Sequence, residues 1–258
     1  MSKKLLKFGG NRPLMHTYKK YLWAALILPV FLGSCRHFLG KRVKGNGTIK
    51  TEDRSVSGFK EVDASGVSTV FVSQGDQPSV KIECDENLLP YVEVIQEGDK
   101  IYIREKNDFN LRPSVNINVY VTSPVYDRIA ASGACDIIGR TKISNPDNLE
   151  LHVSGSGDIK MEVDAPGLKA RLSGSGDVEL KGHTKDVDLE LTGAASAKCY
   201  DLLAENTKVD ISGAGDAEVF ASVRLDASVS GAGSVSYKGN ASSVNQHVSG
   251  AGSVNKVN

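Results

Sequence analysis

Along most of this chain, apolar and polar positions alternate with a period of two. The alternation is regular in the second half. Leu149, Leu151 and Val153 form one apolar run, and Leu168, Ala170 and Leu172 the next. Val187, Leu189 and Leu191 follow, then Thr207, Val209 and Ile211. Period two sends successive side chains to opposite faces, so these segments are half-buried strands and not helices. Each run ends at a glycine corner, after which a second apolar run starts. Those second runs are Ile159, Met161 and Val163; Val178 and Leu180; Ala197 and Cys199; Ala217 and Val219.

The corners form a series. "SGACD" begins at Ser132, "SGSGD" at Ser154 and Ser173, and "TGAAS" at Thr192. "SGAGD" begins at Ser212, and "SGAGS" at Ser230 and Ser249. Successive starts are 22, 19, 19, 20, 18 and 19 residues apart. Self-similarity at such a period means stacked units, none of which buries its apolar face alone. Two short strands joined by a corner, repeated about every 19 residues, predict one coil per repeat with parallel pairing between coils. Six steps of about 4.8 Å would give a column about 29 Å tall. A leucine-rich repeat of similar length would need Leu-x-x-Leu-x-Leu and an Asn ladder, and neither is present.

Upstream, "STVFVSQ", "PSVKIEC" and "SVNINVYVT" read as strands, the last with Val115, Ile117, Val119 and Val121 on one face. "YVEVIQEGDKIYIRE" reads as a hairpin turning at Glu97-Gly98-Asp99. "DENLLPYV" is the one helical hint, kept short by Pro90. The fold expected is all-β: a right-handed parallel β-helix or solenoid over 126–258, preceded by a smaller β module over 48–125.

The first stretch reads as an address. "YKKYLWAALILPVFLGSC" has a basic start, a short apolar run from Tyr21 to Phe31 and small residues before Cys35. The run is shorter than the roughly 20 residues a spanning helix needs. Residues 1–34 are therefore expected to be a signal peptide, with Met15 an alternative start. Leu32-Gly33-Ser34-Cys35 resembles a bacterial lipobox, which implies a lipid on Cys35 and attachment to the membrane through it. A plain secretory signal or an N-terminal anchor helix is the alternative. Residues 35–47 are basic and aperiodic and are expected to act as a lipidated tether.

The first half contains "FKEVDASGVSTVFVSQGDQPSVKIECDENLLPYVEVIQEGDKIYI", and the second half the serial corners. Together they resemble the family called putative auto-transporter adhesin, head GIN domain. The resemblance implies secreted or lipid-anchored proteins of Gram-negative bacteria built from β-helical modules, and it supplies no catalytic residues.

Lys plus Arg number 31 and Asp plus Glu number 31, so no basic surplus exists to neutralise phosphates, and no nucleic-acid partner is expected. Of the four cysteines, Cys84, Cys135 and Cys199 remain after Cys35, an odd set with no metal or redox spacing. Cys199 aligns with Met161, Leu180 and Val219 as a core residue, while Cys135 sits in the variable slot of its corner and is expected to be exposed. The corner Asp residues read as turn chemistry, their oxygens accepting from amides that lack a ladder partner. A calcium ladder over Asp136, Asp158 and Asp177 is the rival. Calcium takes six to eight oxygens, and Ser196, Ser234 and Ser253 interrupt the column. No metal and no cofactor are expected. No dinucleotide fingerprint, phosphate loop, His-Glu-x-x-His or nucleophile elbow appears.

One outward column is a candidate site. Eight residues after each corner Ser or Thr lie Arg140, Glu162, Lys181, Tyr200, Phe220, Lys238 and Val257. Tyr200 and Phe220 are expected to neighbour each other on adjacent coils, flanked by Lys181 and Lys238. Such a pair could seat a sugar ring or a partner's apolar surface, or simply steady the sheet. The last coil carries Gln246 where earlier coils have Leu189 and Val209, which blunts an open end. The function expected is a non-enzymatic binding or adhesion module of the cell envelope, meeting carbohydrate or a surface protein. The alternatives are a structural envelope protein without a ligand, or a polysaccharide-active enzyme.

Overall fold

Corner glycines at Gly66, Gly133, Gly155, Gly174, Gly193, Gly213, Gly231 and Gly250 all have positive φ. They stand directly above one another in the parallel register. The computed structural model that shows this describes residues 40–258. Lys41–Asn258 is one compact unit. The expected signal peptide over residues 1–34 and the expected lipid site at Cys35 lie outside the described residues.

Each corner separates two parallel sheets of the solenoid. Strands that enter the corner include Glu61–Gly66, Arg128–Gly133, Asn148–Gly155, Leu202–Gly213, Arg224–Gly231 and Ser243–Gly250. Strands that leave it include Thr69–Gln74, Asp136–Gly139, Ser196–Lys198, Asp216–Phe220, Ser234–Lys238 and Ser253–Lys256. Two long strands, Ile159–Gly174 and Asp177–Gly193, leave one corner and enter the next without a break. The inward phase is the one the alternation predicts. Leu149, Leu151, Ile159, Leu189 and Val209 are each 0% exposed.

The column contains a corner absent from the series of seven. Ser65-Gly66 pairs with Ser132-Gly133, so the upstream β module supplies the first coil of the solenoid. The chain then leaves before re-entering at Arg128. Within that excursion, Lys100–Glu105 pairs parallel with Glu61–Gly66, and Asn118–Ser123 with Thr69–Gln74. Beyond these the stacks change direction. Val92–Glu97 runs antiparallel to Lys100–Glu105, closing the expected hairpin with Gly98 at φ 60°. Ser79–Asp85 runs antiparallel to both Asn118–Ser123 and Ile49–Arg54. The helical hint is a single 3₁₀ turn, Leu89–Tyr91, with Pro90 in its first turn. Val115 lies before the strand that starts at Asn118 and is exposed, whereas Ile117, Val119 and Val121 are buried.

The tether expectation needs correction from Lys41 onward. Lys41–Lys44 forms a parallel pair with Phe109–Arg112, and Val43 packs on the core. The following loop is tied down by Asp85, a carboxylate 0% exposed. Its oxygens accept from the Gly47 amide (2.7 Å), the Ser114 amide (2.8 Å) and the Ser114 hydroxyl (2.6 Å). A basic, glycine-containing stretch looks free in sequence because its partners lie roughly 40 to 70 residues away.

Along two outward rows, charge alternates from coil to coil. Arg128, Glu150, Lys169, Asp188, Lys208 and Asp226 are consecutive register partners. Lys160, Glu179, Lys198 and Glu218 form a second such row. Contacts include Lys169 to Asp188 at 3.3 Å and Lys160 to Glu179 at 2.7 Å. Exposed pairs like these add little stability one by one, but like charges directly opposite would oppose pairing.

Candidate functional site

The corner explains itself locally. Gly174 has φ +125°, and a Cβ there would sit 2.3 Å from the Gly155 carbonyl oxygen in the coil below. Only glycine satisfies both conditions. The corner carboxylates act as struts between coils. The Asp158 amide donates to Asp136 Oδ1 (3.1 Å), the Asp177 amide to Asp158 Oδ1 (2.8 Å) and the Ser234 amide to Asp216 Oδ1 (3.0 Å). Lys198 Nζ reaches Asp177 Oδ2 at 2.9 Å. Among the described residues, no group of three or more His, Cys, Asp or Glu could hold a metal ion.

Cys135 is buried, contrary to expectation. The fourth residue of each corner points inward against the coil below, as buried Gly157, Gly176, Ala195 and Gly215 also show. Cys135 Sγ lies 3.4 Å from Ser68 Oγ, its counterpart in the first coil. Burial pushes the Cys135 and Cys84 thiols up to about 11, and that of Cys199 up to about 12. None of these three is a thiolate at neutral pH, so none is poised as a nucleophile.

The outward column divides into separate environments. Register offsets widen from 19 at Glu179–Lys198 to 20 at Gly182–Leu202, which puts an extra residue between Lys198 and Leu202. It is absorbed by a turn at Tyr200 and Asp201, closed by the Leu202 amide on the Cys199 carbonyl (3.2 Å). Tyr200 is thereby taken off the strand, and its ring makes no stack with Phe220. Lys238 Nζ lies 4.5 Å from the Tyr200 ring centroid. Lys181 pairs instead with Glu162 at 3.2 Å. Phe220 lines an open groove of about 580 Å³ with Pro166, His183, Lys185 and Leu203.

A better-formed aromatic pair stands in the first coil. Phe71 and Tyr120 are register partners, with ring centroids 5.1 Å apart and planes 15° from parallel. Both occupy the outward phase, between buried Val70 and Val72 and between buried Val119 and Val121. Arg140, from the outward column, lays its guanidinium 5.3 Å from the Phe71 centroid and 6.0 Å from that of Tyr120. Ile138 is the next partner of Phe71 in the row. The signal in sequence was an aromatic at the polar phase of "TVFVS" and of "NVYVT". Their pairing was illegible because the two strands are not consecutive.

The structure resembles solved ones. A putative adhesin from Bacteroides fragilis NCTC 9343 superposes with TM-score 0.78 at 22% identity, covering 83% of this chain and all of that one. A putative lipid binding protein from Parabacteroides distasonis ATCC 8503 gives TM-score 0.71 at 26% identity, over 84% of this chain and all of that one. A putative adhesin from Parabacteroides merdae ATCC 43184 gives TM-score 0.67 at 23% identity, over 84% and 100%. The search of curated proteins returned no match. These likenesses indicate no catalytic family. A family model matches residues 58–241, from the first coil through the penultimate one. The chain belongs to the family described as putative auto-transporter adhesin, head GIN domain.

Proposed function

We propose that the protein is a cell-envelope lipoprotein, anchored by lipid on Cys35, whose solenoid is a non-enzymatic binding module for carbohydrate or surface protein. The observation that carries this reading is the pairing of aromatic rings with cations on the outer surface: Phe71 and Tyr120 with Arg140 on the sheet, and Tyr200 with Lys238 at a turn beside it. Aromatic rings seated on a hydrogen-bonded sheet, as Phe71 and Tyr120 are, offer contact area with little entropy left to lose on binding. The family's adhesin description and the repeated likeness to adhesin structures agree with it.

A second reading rests on the groove beside Phe220. Ala165, Pro166, Leu203 and Ala204 make part of its wall apolar, and one similar structure is named a lipid binding protein. An acyl chain fits that chemistry.

One experiment tests both readings. Residues 36–258 are screened against glycans, matrix proteins and fatty acids, and the same glycans are checked for released products. Saturable binding without product release is the expected result. Product release would replace the binding module with an enzyme. In cells, Cys35→Ala should move the protein from the membrane fraction to the soluble fraction. Unchanged membrane retention would remove the lipid anchor.

A further inference from the structure

Among the cations on the outer face of the corner-leaving sheet, most are matched to carboxylates. Lys142 reaches Asp164 at 2.9 Å, Lys160 reaches Glu179 at 2.7 Å, Lys181 reaches Glu162 at 3.2 Å and Lys198 reaches Asp177 at 2.9 Å. Among the described residues, Arg140 and Lys238 have no such partner, and of the two it is Arg140 that stands beside a stacked aromatic pair. Arg140 is exposed, and among the described residues no carboxylate lies within ion-pair distance of it. Its guanidinium instead lies over the Phe71 and Tyr120 rings. A guanidinium held over aromatic rings keeps its N–H edge free for a planar anion, and that fork suits a carboxylate or sulfate.

Beside it is a cleft of about 230 Å³, walled by Ile138, Arg140, Thr141 and Met161, with the Lys160–Glu179 and Lys181–Glu162 pairs on its rim. An aromatic surface, an unpaired guanidinium and a polar rim therefore meet within one patch. Aromatic faces take the apolar face of a pyranose ring, and the unpaired cation takes an acid group attached to it.

We infer that the Phe71–Tyr120–Arg140 patch is a binding site for an anionic saccharide, with a sugar ring against the aromatic pair and a carboxylate or sulfate on Arg140. This rests on the binding-module reading and names its ligand class and its place on the first two coils. The full sequence has no net charge, and its six Lys and Arg within residues 1–34 leave the remainder acidic, so general attraction of a basic protein to polyanions does not operate.

The test uses the full chain in detergent. Binding is measured to polygalacturonate and hyaluronate as carboxylated probes, heparin as a sulfated probe, and dextran and mannan as neutral controls. An acidic probe should bind at least about tenfold more tightly than the neutral ones, with affinity falling as salt rises, as expected for a charge-assisted contact. Arg140→Ala should remove most of that preference, and Arg140→Glu all of it. Phe71→Leu, which keeps a strand-compatible side chain, should weaken the acidic probe about tenfold while leaving the circular dichroism spectrum unchanged. The carboxylated and sulfated arms identify which acid is preferred. Equal binding of acidic and neutral glycans, or unchanged affinity in Arg140→Ala and Phe71→Leu, overturns the site. If those variants bind normally and Phe220→Ala does not, the binding module stands and this patch falls. If no glycan, matrix protein or fatty acid binds, both readings fall together.

Discussion

Gly174→Ala is expected to lower the unfolding free energy by about 3 kcal/mol, one of the largest effects of any single methyl in this chain. Two penalties combine. A non-glycine residue at φ +125° is strained by about 1–3 kcal/mol. The new Cβ would also lie 2.3 Å from the Gly155 carbonyl oxygen, so the coils must part. That oxygen accepts from the Ser175 amide at 2.8 Å, a bond the movement would stretch. The neighbouring Ser175→Ala is the control. Ser175 is exposed, and its substitution should stay within about 0.5 kcal/mol. Urea unfolding followed by far-ultraviolet circular dichroism compares the two. Equal midpoints for both variants would contradict the stacked-corner account.

The second large effect belongs to Asp85. Asp85→Ala leaves the Gly47 amide, the Ser114 amide and the Ser114 hydroxyl without their acceptor. A loss of about 3 kcal/mol is expected, since hydrogen bonds to a charged group contribute about 1.5–3 kcal/mol and stranded donors add to that. Asp85→Asn keeps the shape but lacks the charge, and should lose about 2 kcal/mol. The effect also depends on pH. Burial alone would raise the Asp85 carboxyl pKa. The Ser114 hydroxyl, the Ser114 amide and the Gly47 amide outweigh burial and hold it below its ordinary value of 3.8. A depressed folded pKa means the unfolded chain takes up the proton first on acidification. The contribution of Asp85 is therefore complete above the ordinary carboxylate range and is lost as pH falls through the depressed value. Wild type should lose stability more steeply than Asp85→Asn below about pH 4. Parallel acid slopes for the two proteins would refute this. Amide exchange should place the loss first around residues 45–48 and 113–116, which the carboxylate joins.

Much of the solenoid was legible because period-two alternation and glycine corners are local signals. Leu151, Leu189 and Val209 are inside for the reason their spacing states. What escaped was non-local. "ASGVS" at Ala64 resembles "ASGAC" at Ala131, but 67 residues separate Ser68 from its partner Cys135, and that gap hides the shared corner from a 19-residue ruler. Lys41–Lys44 looked like tether because its partner strand starts at Phe109. In the outward column, one inserted residue near Tyr200 was enough to break a register that counting treated as constant. Phe71 and Tyr120 carried visible signals separately, an aromatic in each polar phase. Their meeting depends on a pairing of non-consecutive strands that no spacing encodes. Arg140 could be named from the column, but its lack of a carboxylate partner appears only in three dimensions.

The alternating charge rows bear on how such a chain can change length. Superposable corners make the regular coils, such as those turning at Gly155 and Gly174, geometrically alike, so duplication or deletion of one of them leaves the corner stack intact. The rows are less permissive. Removing the coil that carries Lys169 would set Glu150 against Asp188, and duplicating it would set Lys169 against its own copy. Each such meeting costs about 1 kcal/mol at a spacing of about 4.8 Å in water. It would be repeated in the Lys160–Glu179–Lys198–Glu218 row. Gain or loss of two coils keeps the alternation in both rows. For a lineage built on this column, the electrostatically neutral unit of growth is a pair of coils and not the single repeat.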